Sequence, residues 1–117
     1  MCYPNNPTGN YFGLEKILDI FENFTGIVAI DEAYFGFGQK SLAEKILEYP
    51  NTIIIRTLSK LFCIAGLRVG YALGNKNIIE QLNKVKMPYN VNVFSQIAAI
   101  EVLKSPQWIR RIQSKIV

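Results

Sequence analysis

Histidine is absent from this sequence of 117 residues. That absence removes imidazole acid–base catalysis and histidine-ligated metal sites at the outset. Cysteine is scarce as well. Cys2 and Cys63 are too few for a four-thiolate zinc site or a disulfide framework, and their separation fits no metal-ligand spacing. They read as reduced thiols of an intracellular protein, and no metal is expected. Only 19% of the residues are charged while 50% are hydrophobic, which excludes a disordered chain. No apolar run approaches the ~20 residues of a membrane span. Met1-Cys2-Tyr3-Pro4 has neither the positive start nor the apolar stretch of a signal peptide. The 13 basic residues outnumber nine acidic ones, but they are dispersed, and Arg110-Arg111 is the only adjacent pair. A nucleic-acid surface gathers its basic residues into a patch or stripe. Neither nucleic acid nor membrane is therefore an expected partner, and the implied location is the cytoplasm.

At 117 residues the chain is one domain or a piece of one, against ~100–200 residues for a typical domain. Its first nine residues are dense in turn formers, and Pro4 and Pro7 exclude helix and central strand. A chain opening in so shaped a loop, with no element before it, reads as truncated. From Gly13 to Phe24, the residues Leu14, Ile17, Leu18, Phe21 and Phe24 recur at helical spacing. Ile27–Ile30 and Thr52–Ile55 are short runs of near-continuous apolar residues, the pattern of strands covered on both faces. Between them, Ser41–Tyr49 predicts a short helix, with Ser41 and Glu44 in capping-box spacing. Val69–Leu73 predicts a third strand, and Asn75–Val85 and Val93–Lys104 two more helices. Met87-Pro88-Tyr89-Asn90 is a loop. A last helix runs from Ser105-Pro106 to Val117, and its stripe of Trp108, Ile109, Ile112 and Ile116 finds little left to pack against. This order predicts an open α/β sheet with flanking helices.

In such sheets ligands lie beyond the carboxyl ends of the strands. Asp31 and Tyr34 follow the first strand, and Thr57, Ser59 and Lys60 follow the second. Either group alone could be a solvated strand end or a capped turn. Together, beside the asparagine-rich opening loop, they suit one ligand. A carboxylate (Asp31) can hold a cationic ring nitrogen. Tyr34 and Asn6 can hydrogen-bond a phenolic oxygen. Thr57, Ser59 and Arg68 supply two hydroxyls and a guanidinium fork for a phosphate. A partly desolvated Lys60 can form a Schiff-base linkage to an aldehyde. A pyridine ring bearing a phenol, an aldehyde and a phosphate is pyridoxal phosphate.

PNNPTG (Pro4–Gly9), DEAY (Asp31–Tyr34), TLSK (Thr57–Lys60) and AGLRVGY (Ala65–Tyr71) stand in an order that resembles the fold-type I, class I/II pyridoxal-phosphate aminotransferases. With PYNVN (Pro88–Asn92) added, the set is most similar to the histidinol-phosphate branch of that family. The resemblance spans nearly the whole chain. It implies part of the fold-type I large domain, with a mixed, mostly parallel sheet. It also implies pyridoxal 5'-phosphate as cofactor and Lys60 as the residue that holds it and then shuttles a proton. Asp31 would pair with the pyridinium nitrogen, keeping the ring an electron sink. Asn6 and Tyr34 would hydrogen-bond the phenolic oxygen, Thr57, Ser59 and Arg68 would form part of the phosphate cup, and Ala33 would lie beneath the ring.

Cys63, Phe35, Phe37 and Tyr71 read as packing residues, and Gly66 and Gly70 as sites of tight backbone. Asn90 and Asn92 suit a substrate or subunit contact and a loop cap equally. A glycine-containing phosphate loop, a ring-stacking aromatic and a carboxylate-binding arginine are further expected of the family, outside these residues. Residues 1–105 would then be the C-terminal part of the cofactor-binding large domain, and 106–117 the start of the helix leading to a small domain. The implied reaction is transamination between histidinol phosphate and 2-oxoglutarate in histidine biosynthesis, by a parent homodimer acting on amino-acid and 2-oxo-acid substrates. The alternatives are a catalytically inactive fragment of such an enzyme, another class I/II aminotransferase, or a related decarboxylase. A nucleotide-binding module ranks far lower, because neither G-x-G-x-x-G nor G-x-x-x-x-G-K-[ST] occurs.

Overall fold

The computed structural model describes residues 1–38 and 41–116. The amphipathic stretch forms α1 (Leu14–Asn23), burying Ile17 and Phe21. The apolar runs become β1 (Val28–Asp31) and β2 (Thr52–Thr57), and β3 spans Gly70–Gly74. Three helices come after β3: α2 (Lys76–Val85), α3 (Val93–Leu103) and α4 (Pro106–Ile116). No helix among the described residues is long and apolar enough to cross a membrane. The last predicted helix is present, and Val117 lies outside the described residues, as do Gln39 and Lys40.

The sheet is mixed, in the order β1-β2-β3. β1 runs parallel to β2, with Asp31 opposite Ile55, whereas β3 is antiparallel to β2, with Gly70 opposite Thr57. A Cβ at Gly70 would meet the Arg56 carbonyl oxygen at 2.9 Å, so the close approach of β3 depends on glycine. No such contact exists at Gly66, where added carbon meets open space. The opening residues are not a free loop. Cys2 bridges Asp31 in parallel, the Tyr3 amide donates to the Asp31 carbonyl at 2.8 Å, and the Asp31 amide to the Met1 carbonyl at 2.7 Å. Three residues before a proline-rich segment carry too little pattern to read as a strand, yet β1 has an edge whose N–H and C=O groups need partners.

The predicted helix at Ser41–Tyr49 is corrected to turns and a single 3-10 turn at Ile46–Glu48. Ser41 accepts from the Ala43 amide and donates to Glu32, so no capping box to Glu44 forms. A distant carboxylate has outcompeted the local cap.

Side chains alternate across the sheet. One face carries Val28, Ile30 and Ile54 into a core completed by Tyr3, Ile17, Phe21, Leu42 and Ile46. The other face carries Ala29, Asp31, Ile53, Ile55 and Thr57. It is covered only in part: Ile53 is buried, whereas Ile55 is 44% exposed among the described residues. A second cluster joins Leu58, Leu61, Phe62 and Ala99, with Phe35, Phe37, Tyr71, Val102 and Ile109 packed against it. The stripe of α4 therefore does find a partner. Ile109 packs into this cluster, and the Gln113 side chain donates to the Gly36 carbonyl at 3.0 Å. Trp108 stays 42% exposed.

Candidate active site

Because β1 and β2 are parallel, Asp31 and Thr57 leave the sheet at the same edge, and alternation puts both on the open face. The segment after β2 is shaped by its apolar residues. Leu58, Leu61 and Phe62 turn into the second cluster, which leaves Thr57 and Ser59 half-buried and Lys60 exposed on the outer side.

A cavity of about 240 Å³ opens at this edge, lined by Cys2, Pro4, Asn6, Asp31, Ala33, Tyr34 and Lys60. Five of the residues singled out from sequence thus meet on one space: Asn6, Asp31, Ala33, Tyr34 and Lys60. The carboxylate of Asp31 is fixed by its own turn, Oδ1 accepting from the Ala33 amide at 2.8 Å. Among the described residues, Oδ2 has only the Cys2 thiol, at 4.0 Å. One acceptor oxygen is therefore held steady and the other is available to a donor in the cavity. Lys60 Nζ stands 5.2 Å from the centroid of the Tyr34 ring, a cation–π arrangement that keeps the amine over the phenol. Among the described residues no ion pair joins Lys60 to Asp31, so both charges face the same space.

Thr57 and Ser59 form a separate small unit. Thr57 Oγ1 donates to Ser59 Oγ at 2.9 Å and accepts from the Ser59 amide at 3.1 Å. Neither lines the cavity, and Arg68 does not either. Arg68 sits in the left-handed region (φ 53°) at the end of the 3-10 turn Ala65–Leu67, and its guanidinium donates to the Ala65 carbonyl at 3.2 Å. The three residues read as a phosphate cup are thus at the same strand edge but outside the enclosed part of the site.

Sequence reasoning missed Cys2 as a wall of this cavity, and it missed Glu32. Glu32 is not an exposed strand end but 1% exposed, paired with Arg56 at 2.9 Å. The signal was present: Arg56 directly follows one apolar strand run, Glu32 comes one residue after the other, and the parallel register sets the two side by side. Asn92 caps α3, its side chain accepting from the Ser95 amide at 2.9 Å.

Comparison with known proteins bears on this geometry. The family described as aminotransferase class I and II matches residues 1–116. The chain belongs to that family. It is 56% identical over 105 residues to a histidinol-phosphate aminotransferase of Caldanaerobacter subterraneus, covering 90% of this chain and 30% of the relative. Its fold is similar to the histidinol-phosphate aminotransferase of Clostridium acetobutylicum, with a TM-score of 0.87 and 32% identity, covering 97% of this chain and 36% of that one. The enzyme of the same name from Sinorhizobium meliloti, in complex with pyridoxal-5'-phosphate, aligns with a TM-score of 0.88 at 25% identity, covering 98% and 33% of the two chains. The chain spans about a third of the length of the curated relatives it matches.

The mixed sheet with flanking helices agrees with the fold-type I large domain expected from the motifs. The family membership agrees with the expected aminotransferase class.

Proposed function

We propose that this chain carries the cofactor-binding part of a pyridoxal-phosphate-dependent aminotransferase that moves an amino group between histidinol phosphate and 2-oxoglutarate. The observation that carries the reading is the convergence of Asp31, Asn6, Tyr34 and Lys60 on one cavity. The donor set fits the cofactor. A fixed carboxylate suits a protonated ring nitrogen, a phenol and an amide suit a phenolic oxygen, and a primary amine suits an aldehyde. The cavity is smaller than the ~300–1,000 Å³ of a whole ligand site, which fits a ring-sized share of a larger active site. The names of the relatives support the choice of substrate within the family.

Pyridoxal phosphate supplies an electron sink for the carbanion formed when an amino acid loses its α-proton. The chain's own residues would act around it. Asp31, with Oδ1 anchored on the Ala33 amide, would offer its second oxygen to the protonated ring nitrogen and stabilise positive charge there. Tyr34 and Asn6 orient the phenolic oxygen. Lys60, on a loop anchored by buried Leu58, Leu61 and Phe62, presents its amine for attachment and afterwards carries the proton. Thr57, Ser59 and Arg68 contribute to the phosphate site. Residues 1–105 belong to the large domain and 106–117 to the helix leading to a small domain, and the whole enzyme works as a cytoplasmic homodimer.

Incubating the 117-residue chain with pyridoxal phosphate, reducing with borohydride and mapping by mass spectrometry tests the assignment. The expected result is a label on Lys60 that disappears in Lys60→Ala. A label elsewhere, or one unchanged in that variant, refutes it. In the same reading, the chain alone binds cofactor but forms no glutamate from histidinol phosphate and 2-oxoglutarate, since it spans about a third of its relatives. Glutamate formation by the chain alone would refute that part.

A further inference from the structure

Glu32 is a buried carboxylate that the proposed chemistry does not use. Its Oε2 accepts from Arg56 Nε and pairs with Arg56 Nη2, both at 2.9 Å. Its Oε1 accepts from the Leu42 amide at 2.8 Å, and the Ser41 hydroxyl reaches Oε2 at 2.9 Å. Arg56 Nη2 also donates to Ser41 Oγ. The same guanidinium lies 3.8 Å from the centroid of the Phe35 ring. One side chain therefore holds the segment Glu32–Phe35 at both of its ends, and Tyr34 lies between them.

The placement is specific. Glu32 follows Asp31, and Arg56 precedes Thr57. Alternation sets the pair on the core face, behind the sheet, while Asp31 and Thr57 face the other way. Neither Glu32 nor Arg56 lines the cavity that holds Asp31, Tyr34 and Lys60. A planar guanidinium can give two hydrogen bonds to a carboxylate and stack on a ring at once, which an ammonium cannot.

We propose that Arg56, through Glu32 and Phe35, is a positioning residue that fixes Tyr34 and Asp31 in the cavity from behind the sheet. The significance for catalysis rests on the cofactor reading above, but the clamp itself does not. Two variants of the 117-residue chain test it: Arg56→Lys, which keeps the charge, and the double variant Glu32→Gln/Arg56→Met, which removes both charges and avoids a lone buried ion. Hydrogen exchange followed by mass spectrometry reports the clamp without cofactor. The expected result is exchange about tenfold faster in residues 31–38, with α1 unchanged. Faster exchange throughout the chain, or none faster in 31–38, would overturn the proposal. With pyridoxal phosphate bound, the pH midpoint of its absorbance should move up by about one unit in Arg56→Lys, because a displaced Tyr34 no longer donates to the charged phenolic oxygen. An unmoved midpoint would overturn the link from Arg56 to Tyr34. A wild-type chain that takes up no pyridoxal phosphate would instead overturn the cofactor reading, and the exchange arm would still decide the clamp.

Discussion

Two aliphatic residues three positions apart separate the packed part of this chain from the open part. Leu58 is 1% exposed, and its side chain forms one cluster with Leu61, Phe62 and Ala99. Its backbone is held independently, the amide donating to the Val69 carbonyl at 3.0 Å. Leu58→Ala therefore deletes three buried carbons without touching the ladder. At ~0.8 kcal/mol per carbon the transfer loss is about 2.5 kcal/mol. The cavity left behind raises this within the ~2.7–5 kcal/mol range of such replacements. Half-exposed Trp108 lies at the border of this cluster and can move inward, so the lower end, about 3 kcal/mol, applies. Ile55→Ala deletes as many carbons from the middle strand of the sheet. Ile55, however, is 44% exposed on the open face, so the transfer loss falls to about 1.4 kcal/mol and the total, with β-propensity, to about 2 kcal/mol. Equilibrium urea unfolding of the wild type and both variants reads the difference from the midpoints at a common slope. Equal costs for the two replacements would refute the open face. A cost under about 1 kcal/mol for Leu58→Ala would refute the packing that presents Lys60.

Gly36 has φ 90°, and a Cβ there would come within 2.5 Å of buried Leu61 Cδ2; Gly36→Ala should cost about 2 kcal/mol in thermal or urea unfolding. Asn92→Ala should cost about 1 kcal/mol by removing the cap of α3, with Asn92→Ser recovering most of it. Burial pushes the Tyr3 phenol above its ordinary value of 10.0, and the nearby Tyr11 and Glu32 add repulsion. The unfolded chain ionises this phenol first, so its contribution is fully present below pH ~10 and is lost as pH rises through the folded value. Urea midpoints between pH 8 and pH 11 should therefore fall less steeply in Tyr3→Phe than in the wild type, and parallel curves would refute the assignment.

The strands and long helices were legible because each carries its own period. Val28–Ile30 and Ile53–Ile55 are unbroken apolar runs, and Ile17 and Phe21 fall on one side of α1. Motif order brought Asn6, Asp31, Tyr34 and Lys60 onto one space because a parallel pair of strands delivers the residues after each strand to the same edge. The misreadings share a cause: the deciding partner is remote. Ser41 looked like a helix cap from its neighbours, but it answers to Glu32, nine residues back, and so the segment after it turns instead of coiling. Ile55 looked buried because its own run is apolar, whereas burial requires a second layer that no local pattern reports. The same reasoning explains α3. Its residues are apolar on nearly every side, with Phe94 77% exposed and Ile97 55% exposed beside buried Ser95 and Ala99. A helix of that kind belongs inside a larger body. Family relatives about three times as long are consistent with such a body. The proposed cofactor edge of the sheet is built by β1, β2 and the turn after each, while Ile55 and Phe94 stay exposed among the described residues.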